Sequence, residues 1–589
     1  MNSLGFRRSL DWKEVTFFAF WLAYFLLFWS RAISIADNGS LLAGHVNIWG
    51  DWAVHFTMGS SMAYRELVLT TSPLLIDAPF AYPFATNLIP ALLVRVGVPF
   101  FSAFVICSFV FSMLLIAALY FLYRVVFPRK KLALLAACLF LFNGGIGAYY
   151  FLGDVISATE PLNALLNPTH EYTHIESKHI KWISVISSMI LPQRAFTMGF
   201  GMALFALALI YREFGLLRDF ARPIGRHRLV LAGIILGFLP VVHTHSFLAC
   251  FIILACWFLA DLIRIPVNLI KQRLLAWALV FVCTCLVALP LIAIFLWGHV
   301  SNQSIKWFPG WYAQEFGINW FTFWFKNWTL VPVLAISAVA MMLGAKSMRS
   351  RRLHVFLVCL PGLILFTVPN LALTQPWIWD NTKLLIWASV FFSALAVYAI
   401  DQLFSHSGLF ARTAMRLYGS HKTEALEEAR SIRFVRRGFL GLIISFLLAS
   451  GIVDAYYTVR VDLHRYTLYN KNELALAEWV KNETPVESVW LTSTKHNHWL
   501  FNLTGRQAVI TYVAWLWTHG YDYSQIEKDV QTIYSTGDES LLEQYAVDYV
   551  VIDQHARREM RANDGLFRER FELVKQIGQY EIFVMPAPD

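Results

Sequence analysis

The sequence predicts a polytopic α-helical membrane protein of about eleven spans followed by a small α/β domain outside the bilayer. Three observations carry this. Of 589 residues, 57% are hydrophobic and only 15% charged, with a mean hydropathy of +0.53, more apolar surface than a soluble domain can hide. Lys and Arg gather in short clusters between apolar runs: Arg7/Arg8/Lys13, Arg124/Arg129/Lys130/Lys131, Arg212 to Arg228, Arg264/Lys271/Arg273, Lys346/Arg349/Arg351/Arg352 and Arg412 to Arg437. This is the positive-inside pattern, and it sets all six clusters in the cytoplasm. From about Val459 the composition turns soluble. The net charge of +9 therefore reflects membrane topology, and no nucleic-acid partner is expected.

A helix needs about 20 residues to cross a bilayer, and the runs that fit are roughly 15–34, 99–123, 132–151, 196–211, 229–242, 246–263, 274–297, 328–345, 353–370, 382–401 and 438–457. They put the N-terminus inside and the C-terminus outside. Leu229 to Ile263 is too long for one span and is flanked by basic residues at both ends, so two spans turning at Pro240-Val-Val-His-Thr-His245 reconcile it. The first run is too long for a signal peptide, and no small-residue cleavage site follows. All seven cysteines fall in apolar runs, so no disulfide framework is implied and Cys283/Cys285 read as packing residues. The expected division is a membrane domain over 1–458, with a first outer loop at about 35–98, and an outer α/β domain over 459–589. The latter carries the strands SVWLTS, AVITY and YVVID and the hairpin FELVKQIGQYEIFVM. It shows no GxGxxG, P-loop or nucleophile-elbow pattern.

The outward segments hold the chemistry. In NIWGDWAVHFTMGSSMAYRE, a helix over Asp51 to Arg65 would set Asp51 and His55 one turn apart on one face; the blander reading is a solvated loop helix. Arg194, in LPQRAF, stands where the fourth span begins, and a charge at that depth is usually paired or functional. His243 and His245 at a span-to-span turn could bind metal, an anionic headgroup, or only neighbouring polar groups. Asp380 and Lys383 in LTQPWIWDNTK read as a salt bridge at a helix start or a headgroup contact. The aromatic run WFPGWYAQEFGINWFTFWFKNW reads as an interfacial belt. The cytoplasmic stretch Leu403 to Arg437 reads as a surface helix on anionic lipid.

One string must be faced directly. His170-Glu-Tyr-Thr-His174 matches H-E-x-x-H, in which two His one helical turn apart bind zinc. A third ligand is missing: His179 lacks the metzincin spacing and glycine, and Glu176 is too close in sequence. A polar cluster beside a ligand pocket is the preferred reading over a metalloprotease.

The order of parts resembles the GT-C superfamily of integral-membrane glycosyltransferases: an acid in the first outer loop, many aromatic-rich spans and an outward C-terminal α/β domain. The strings AYPFATNLIPALL, LPQRAF, QPWIWDNTK, TGRQAVITYVAWLWTHG and EQYAVDYVVID look like those of less characterised bacterial members. The resemblance implies a cell-envelope enzyme of the bacterial inner membrane. It would take a polyprenyl-phosphate or dolichyl-phosphate sugar donor, pass the sugar to an unknown acceptor on the extracytoplasmic face, and use Asp51 as the acid of the first loop. This chain departs from oligosaccharyltransferase catalytic subunits, which carry a D-x-D-like pair and a WWD motif. It also departs from protein O-mannosyltransferases and lipid A aminoarabinose transferases, whose first-loop Asp-Glu pair is here Asp51-Trp52.

The chemistry assigns expected roles. Asp51 would deprotonate the acceptor, with His55 orienting it or standing in for it, and Arg194, His243, His245 and Lys383 beside Asp380 would hold the donor phosphate. Arg506, in TGR, would bind acceptor or cap a helix. No cofactor is called for; a divalent metal is compatible but not favoured. The rival class is a transporter or flippase of a lipid-linked glycan, which would line a mid-membrane pathway and repeat internally; no repeat is found. A non-enzymatic assembly subunit would keep the topology without depending on Asp51.

Overall fold

A computed structural model describes residues 11–67, 69–80, 82–217, 224–296, 305–345, 351–404 and 424–586, the side chains of 424–433 excepted. Arg7, Arg8, Lys346, Arg349, residues 218–223 of the Arg212 to Arg228 cluster and most of the Leu403 to Arg437 stretch lie outside the described residues. The helices of the membrane part are α1 (Trp12–Trp29), α2 (Val46–Tyr64), α3 (Ala85–Arg95), α4 (Phe100–Val126), α5 (Lys130–Phe142), α6 (Gly147–Ser157), α7 (Pro161–Leu166), α8 (Arg194–Phe214), α9 (Arg226–Val242), α10 (Thr244–Leu262), α11 (Ile270–Phe295), α12 (Tyr312–Glu315), α13 (Trp320–Trp328), α14 (Val331–Gly344), α15 (Arg352–Leu371), α16 (Thr382–Phe404) and α17 (Glu424–Val459).

Every apolar run is helical, yet the eleven expected crossings are not all reached. Among the described residues seven helices are long and apolar enough to cross a membrane, or nine if the bent pairs α5/α6 and α13/α14 each count as one. The two that fall short are α1, whose 18 residues include Lys13 and Glu14, and α9, of only 17 residues with Pro240 inside. The protein is thus an integral membrane protein, with seven to nine such helices among the described residues. Glu14 explains α1's polar start: it closes a capping box with Asp11 and takes hydrogen bonds from the Tyr120 hydroxyl and the Lys130 ammonium, tying α1 to α4 and α5.

Packing within the bundle uses small residues where helices touch closely. On α9, a Cβ added at Gly233 would lie 2.7 Å from Cys283 Cβ, and one at Gly237 2.6 Å from Val287 Cβ, so this Gly-x-x-x-Gly pair admits α11. Between α10 and α11 the buried Asp261 and Arg273 pair, with Arg273 Nε 2.9 Å from Asp261 Oδ2. The aromatic run expected at the interface is divided between the protein interior and its surface. Trp311, Trp324 and Trp328 are buried, the last two against Phe366, while Trp307 and Phe321 stay exposed.

The first loop opens with the hairpin β1 (Ile33–Ile35) and β2 (Leu41–Ala43). The two-residue strands β3 (Lys306–Trp307) and β4 (Ala372–Leu373) pair elsewhere. The C-terminal strands are β5 (Tyr466–Tyr469), β6 (Val489–Leu491), β7 (Gln507–Ala508), β8 (Tyr549–Ile552), β9 (Glu572–Ile577) and β10 (Tyr580–Val584). Five form one sheet in the order β7-β6-β8-β10-β9, with β6 parallel to β7 and β8 and the rest antiparallel. β5 leaves them and pairs with β2, Leu41 opposite Tyr469. Of the expected strand AVITY only Ala508 stays in β7, for a similar reason: the Thr511 amide turns to the Leu74 carbonyl of the first loop, 3.1 Å away.

The first loop and the C-terminal sheet are therefore one construction. Thr57 Oγ1 on α2 donates to Asn502 Oδ1 at 2.7 Å and Ser60 Oγ to the Phe501 carbonyl at 3.2 Å. Gly505 turns with φ +75° against the Ser60 carbonyl, where a Cβ would come to 2.7 Å; a side chain there would both strain the backbone and collide. Cysteines at the exposed Asn38 and Glu539 should accordingly react with a membrane-impermeant maleimide from the same side of sealed vesicles; labelling from opposite sides would refute this joint.

Candidate active site

The site begins with α2. His45 caps it, Nδ1 accepting the Asn47 amide at 3.1 Å, and the helix starts five residues before the expected Asp51. One face is anchored by Trp52, whose ring stacks 5.7 Å from Trp29 and whose Nε1 donates to the Leu191 carbonyl at 3.3 Å. Asp51 and His55 stand one turn apart beside this anchor, as their spacing predicts. The half-buried Asp51 carboxylate accepts a hydrogen bond from the Gln193 side chain. Burial pushes its pKa up to about 6, with Lys383 pulling down and Asp380 pushing up.

His55 does not orient Asp51. Its Nδ1 lies 3.0 Å from Asn87 Oδ1 on α3, while the Asn87 amide nitrogen donates to Met58 Sδ at 3.3 Å. That arrangement makes Nδ1 the protonated nitrogen and leaves Nε2 as an acceptor. Burial, then the Arg194 charge, drives His55 down to about 3, so the ring is neutral at physiological pH. Tyr82 stands beside it, ring centroids 6.2 Å apart, and 4.6 Å from His519, a residue of the C-terminal region that Lys383 and Asp380 also reach.

Arg194 is the first residue of α8, following a π-helical turn at Ile186–Ile190. Only 1% exposed, it donates to the Phe104 carbonyl at 2.8 Å and to Ser108 Oγ on α4, and to the Thr86 carbonyl at 3.4 Å. Its guanidinium also covers the rings of Phe104 and Trp52. None of these partners is a carboxylate, and Nε has no hydrogen-bond partner. A buried cation held by neutral groups alone is costly to keep unless something anionic meets it.

His243 caps the turn between α9 and α10, Nδ1 2.7 Å from Ser246 Oγ. It fits because α8 carries Gly199, whose missing Cβ would lie 2.4 Å from His243 Cβ. His245 follows, rings 5.5 Å apart, and both Nε2 atoms are buried without a partner. Lys383 Nζ meets Asp380 Oδ1 at 3.0 Å at the start of α16, and its charge reaches Asp51, His243, His245 and His519. Lys383 is thus the common neighbour of Asp51, Asp380, His243 and His245, with His55 and Arg194 held against α3 and α4. Gln193, Asn87, Tyr82 and His519 join them without any sequence signal beyond their presence in the strings quoted above.

Arg506 lies apart. Its guanidinium donates to the carbonyls of Val480 (3.0 Å), Thr484 (2.7 Å) and Thr504 (3.1 Å), closing the C-terminal end of the helix Lys471–Glu483. The His170-Glu-Tyr-Thr-His174 string is not helical: Glu171 faces His45 at 3.2 Å, the His170 ring lies 4.3 Å from that of Tyr172 and His174 turns to Glu176. Among the described residues no group of three or more His, Cys, Asp or Glu side chains is arranged to hold a metal ion.

The chain is similar to solved membrane-protein structures at low identity. One is the archaeal oligosaccharyltransferase AglB from Archaeoglobus fulgidus, in complex with an inhibitory peptide and a dolichol-phosphate. It is 12% identical over 93% of this chain and 70% of that one, with a TM-score of 0.43. Another is ArnT from Cupriavidus metallidurans bound to undecaprenyl phosphate, 11% identical over 97% of each chain, with a TM-score of 0.49. No curated protein matches the sequence. The sequence model of DUF6541, a family of unknown function, matches residues 188–584, which include Arg194, His243, His245, Asp380 and Lys383 but not Asp51 or His55. Matched over two thirds of its length, the chain belongs to the DUF6541 family.

Proposed function

We propose that this protein is a glycosyltransferase that moves a sugar from a polyprenyl-phosphate or dolichyl-phosphate donor to an acceptor hydroxyl on the extracytoplasmic face of a bacterial inner membrane. The observation that supports it best is a buried guanidinium with no carboxylate partner, Arg194, which covers the ring of Trp52, the residue next to a half-buried carboxylate with a near-neutral pKa, Asp51. Such a donor already carries a good leaving group. The acceptor oxygen attacks the anomeric carbon, its proton passes to Asp51, and the bond from that carbon to the phosphate oxygen breaks. The departing lipid phosphate keeps the electron pair and gains negative charge.

Arg194 and Lys383 offer positive charge to that phosphate, the second by sharing itself with Asp380. The unpartnered Nε2 atoms of His243 and His245 add neutral hydrogen-bonding capacity, since charging two buried imidazoles beside Lys383 would cost more than it returned. His55, neutral and fixed by Asn87, keeps a second positive charge away from Arg194. The outer-face assignment rests on the Lys/Arg clusters between the spans.

Asp51→Asn should leave the fold and donor binding intact and lower transfer about a hundredfold to ten-thousandfold, measured in proteoliposomes with a polyprenyl-phosphate sugar. A carboxylic acid with a raised pKa loses its base form as pH falls. The wild-type rate should therefore drop about tenfold per unit below pH 6 and be flat above it until another group titrates; a profile flat down to pH 5 would count against Asp51 as base. Arg194→Ala should instead weaken binding of the lipid phosphate itself, read by direct titration; unchanged affinity would remove Arg194 from the site.

A further inference from the structure

We infer that the polar cleft at the carboxyl ends of β6 and β8 is a carbohydrate site, and, resting on the glycosyltransferase reading, that it seats the acceptor glycan. Topology points there first. β6 lies between its parallel neighbours β7 and β8. The chain leaves β6 for β7 on one side and returns from β7 to β8 on the other, so the connections part above the β6/β8 pair. In open sheets of this kind, ligands bind in the crevice outside the carboxyl ends of the strands at that reversal.

A cleft of about 260 Å³ occupies this position, lined among others by Lys495 after β6, Asp553, His555 and Arg558 after β8, and Gln579 and Tyr580 at the β9–β10 turn. Ligand clefts run from about 300 Å³ upward, so this one is of a size for a single small ring rather than an extended chain. Asp553, only 2% exposed, is fixed in advance. Its Oδ1 accepts the Ala556 amide at 2.7 Å and its Oδ2 accepts Ser493 Oγ at 3.1 Å. Behind it the fully buried His498 takes the Leu500 amide on Nδ1 at 3.2 Å, which sets the proton on Nε2. That Nε2 faces Asp553 Oδ2 at 3.6 Å and has no hydrogen-bond partner.

The lining chooses the ligand class. Lys495, held 2.6 Å from Glu473, and Arg558 supply donors, while Asp553, Glu559 and the Gln579 amide supply acceptors in the same small space. A phosphate would meet two carboxylates, and an apolar chain would strand charged groups. Closely spaced hydroxyls, each donating and accepting, suit alternating partners. The loop that brings Lys495 to the cleft also reaches the membrane site. His496 packs 5.4 Å from the Trp49 ring and bonds to the Gly50 backbone, and Asn497 Nδ2 donates to the Trp49 carbonyl at 3.3 Å, one and two residues before Asp51.

The test uses full-length protein in nanodiscs and a panel of methyl glycosides of hexoses and N-acetylhexosamines, read by saturation-transfer NMR. At least one glycoside should bind, and the double variant Arg558→Ala/Gln579→Ala, altered at two exposed side chains, should lose that signal while lipid-phosphate binding stays unchanged. In the transfer assay the same variant should raise the acceptor KM about tenfold or more with kcat near wild type. No glycoside binding to wild type, or equal binding to the variant, overturns the cleft. Transfer with an unchanged acceptor KM overturns its acceptor role and leaves the transferase reading standing. Glycoside binding lost in the variant, in a protein whose Asp51→Asn form is fully active, keeps the cleft and sinks the Asp51 mechanism.

Discussion

A guanidinium buried at a membrane boundary must be met by acceptors, and the elements that meet Arg194 are those that carry the candidate site. Phe104 and Ser108 come from α4, Thr86 from α3, and the Trp52 face from α2. Asn87, next to Thr86, fixes His55, and Gln193, next to Arg194, reaches Asp51. One buried charge thus sets the mutual position of three helices and, through the residues adjoining its contacts, the surroundings of both ionisable groups on α2. Removing the charge would free its partners without satisfying them, which is why the arrangement is stiff.

Electrostatics then divides the labour. Burial first, and after it the charge of Arg194 on His55 and of Lys383 on His519, takes His55 down to about 3 and His519 to about 4. Asp51 rises to about 6 because its half-buried carboxylate is partly withdrawn from water, while Lys383 and Asp380 pull it in opposite directions. Groups whose surroundings drive their pKa values apart can hold different protonation states at one pH. Here the carboxylate of α2 is the one that titrates near neutrality while the two histidines remain neutral.

The sequence shows this site unevenly, for a physical reason. Asp51, Arg194, Asp380, Lys383 and the His243/His245 turn are legible because ionisable residues flanking apolar runs carry an energetic cost that demands an explanation, and they converge from four separate stretches. Gln193, Asn87, Tyr82 and His519 carry no such cost. A neutral amide or phenol is unremarkable until its partner is known, and Asn87 matters only because Met58 and His55 fix which way its amide faces. The same limit applies to the fold. Apolar composition locates the long helices of the bundle, but not that Lys13 and Glu14 belong to α1, nor that Trp311 and Trp328 face inward. Pairing is less legible still: β5 belongs by position to the C-terminal region yet pairs with β2 of the first loop.

This pairing changes how the two ends of the chain are to be understood. α2 is a wall of the membrane site through Asp51 and His55, and a support of the C-terminal region through Thr57 and Ser60. Gly505 brings the backbone of that region against Ser60 so closely that no side chain fits between them. The loop from β6 touches the same helix at Trp49 and Gly50. With contacts at both ends of a helix of 19 residues, the C-terminal sheet cannot tilt against the bundle without rotating or shifting α2. Because Asp51 sits within the first turns of that helix, a movement of the sheet would alter the distance from its carboxylate to Gln193 and Lys383, so the surroundings of that carboxylate depend on a part of the chain several hundred residues away.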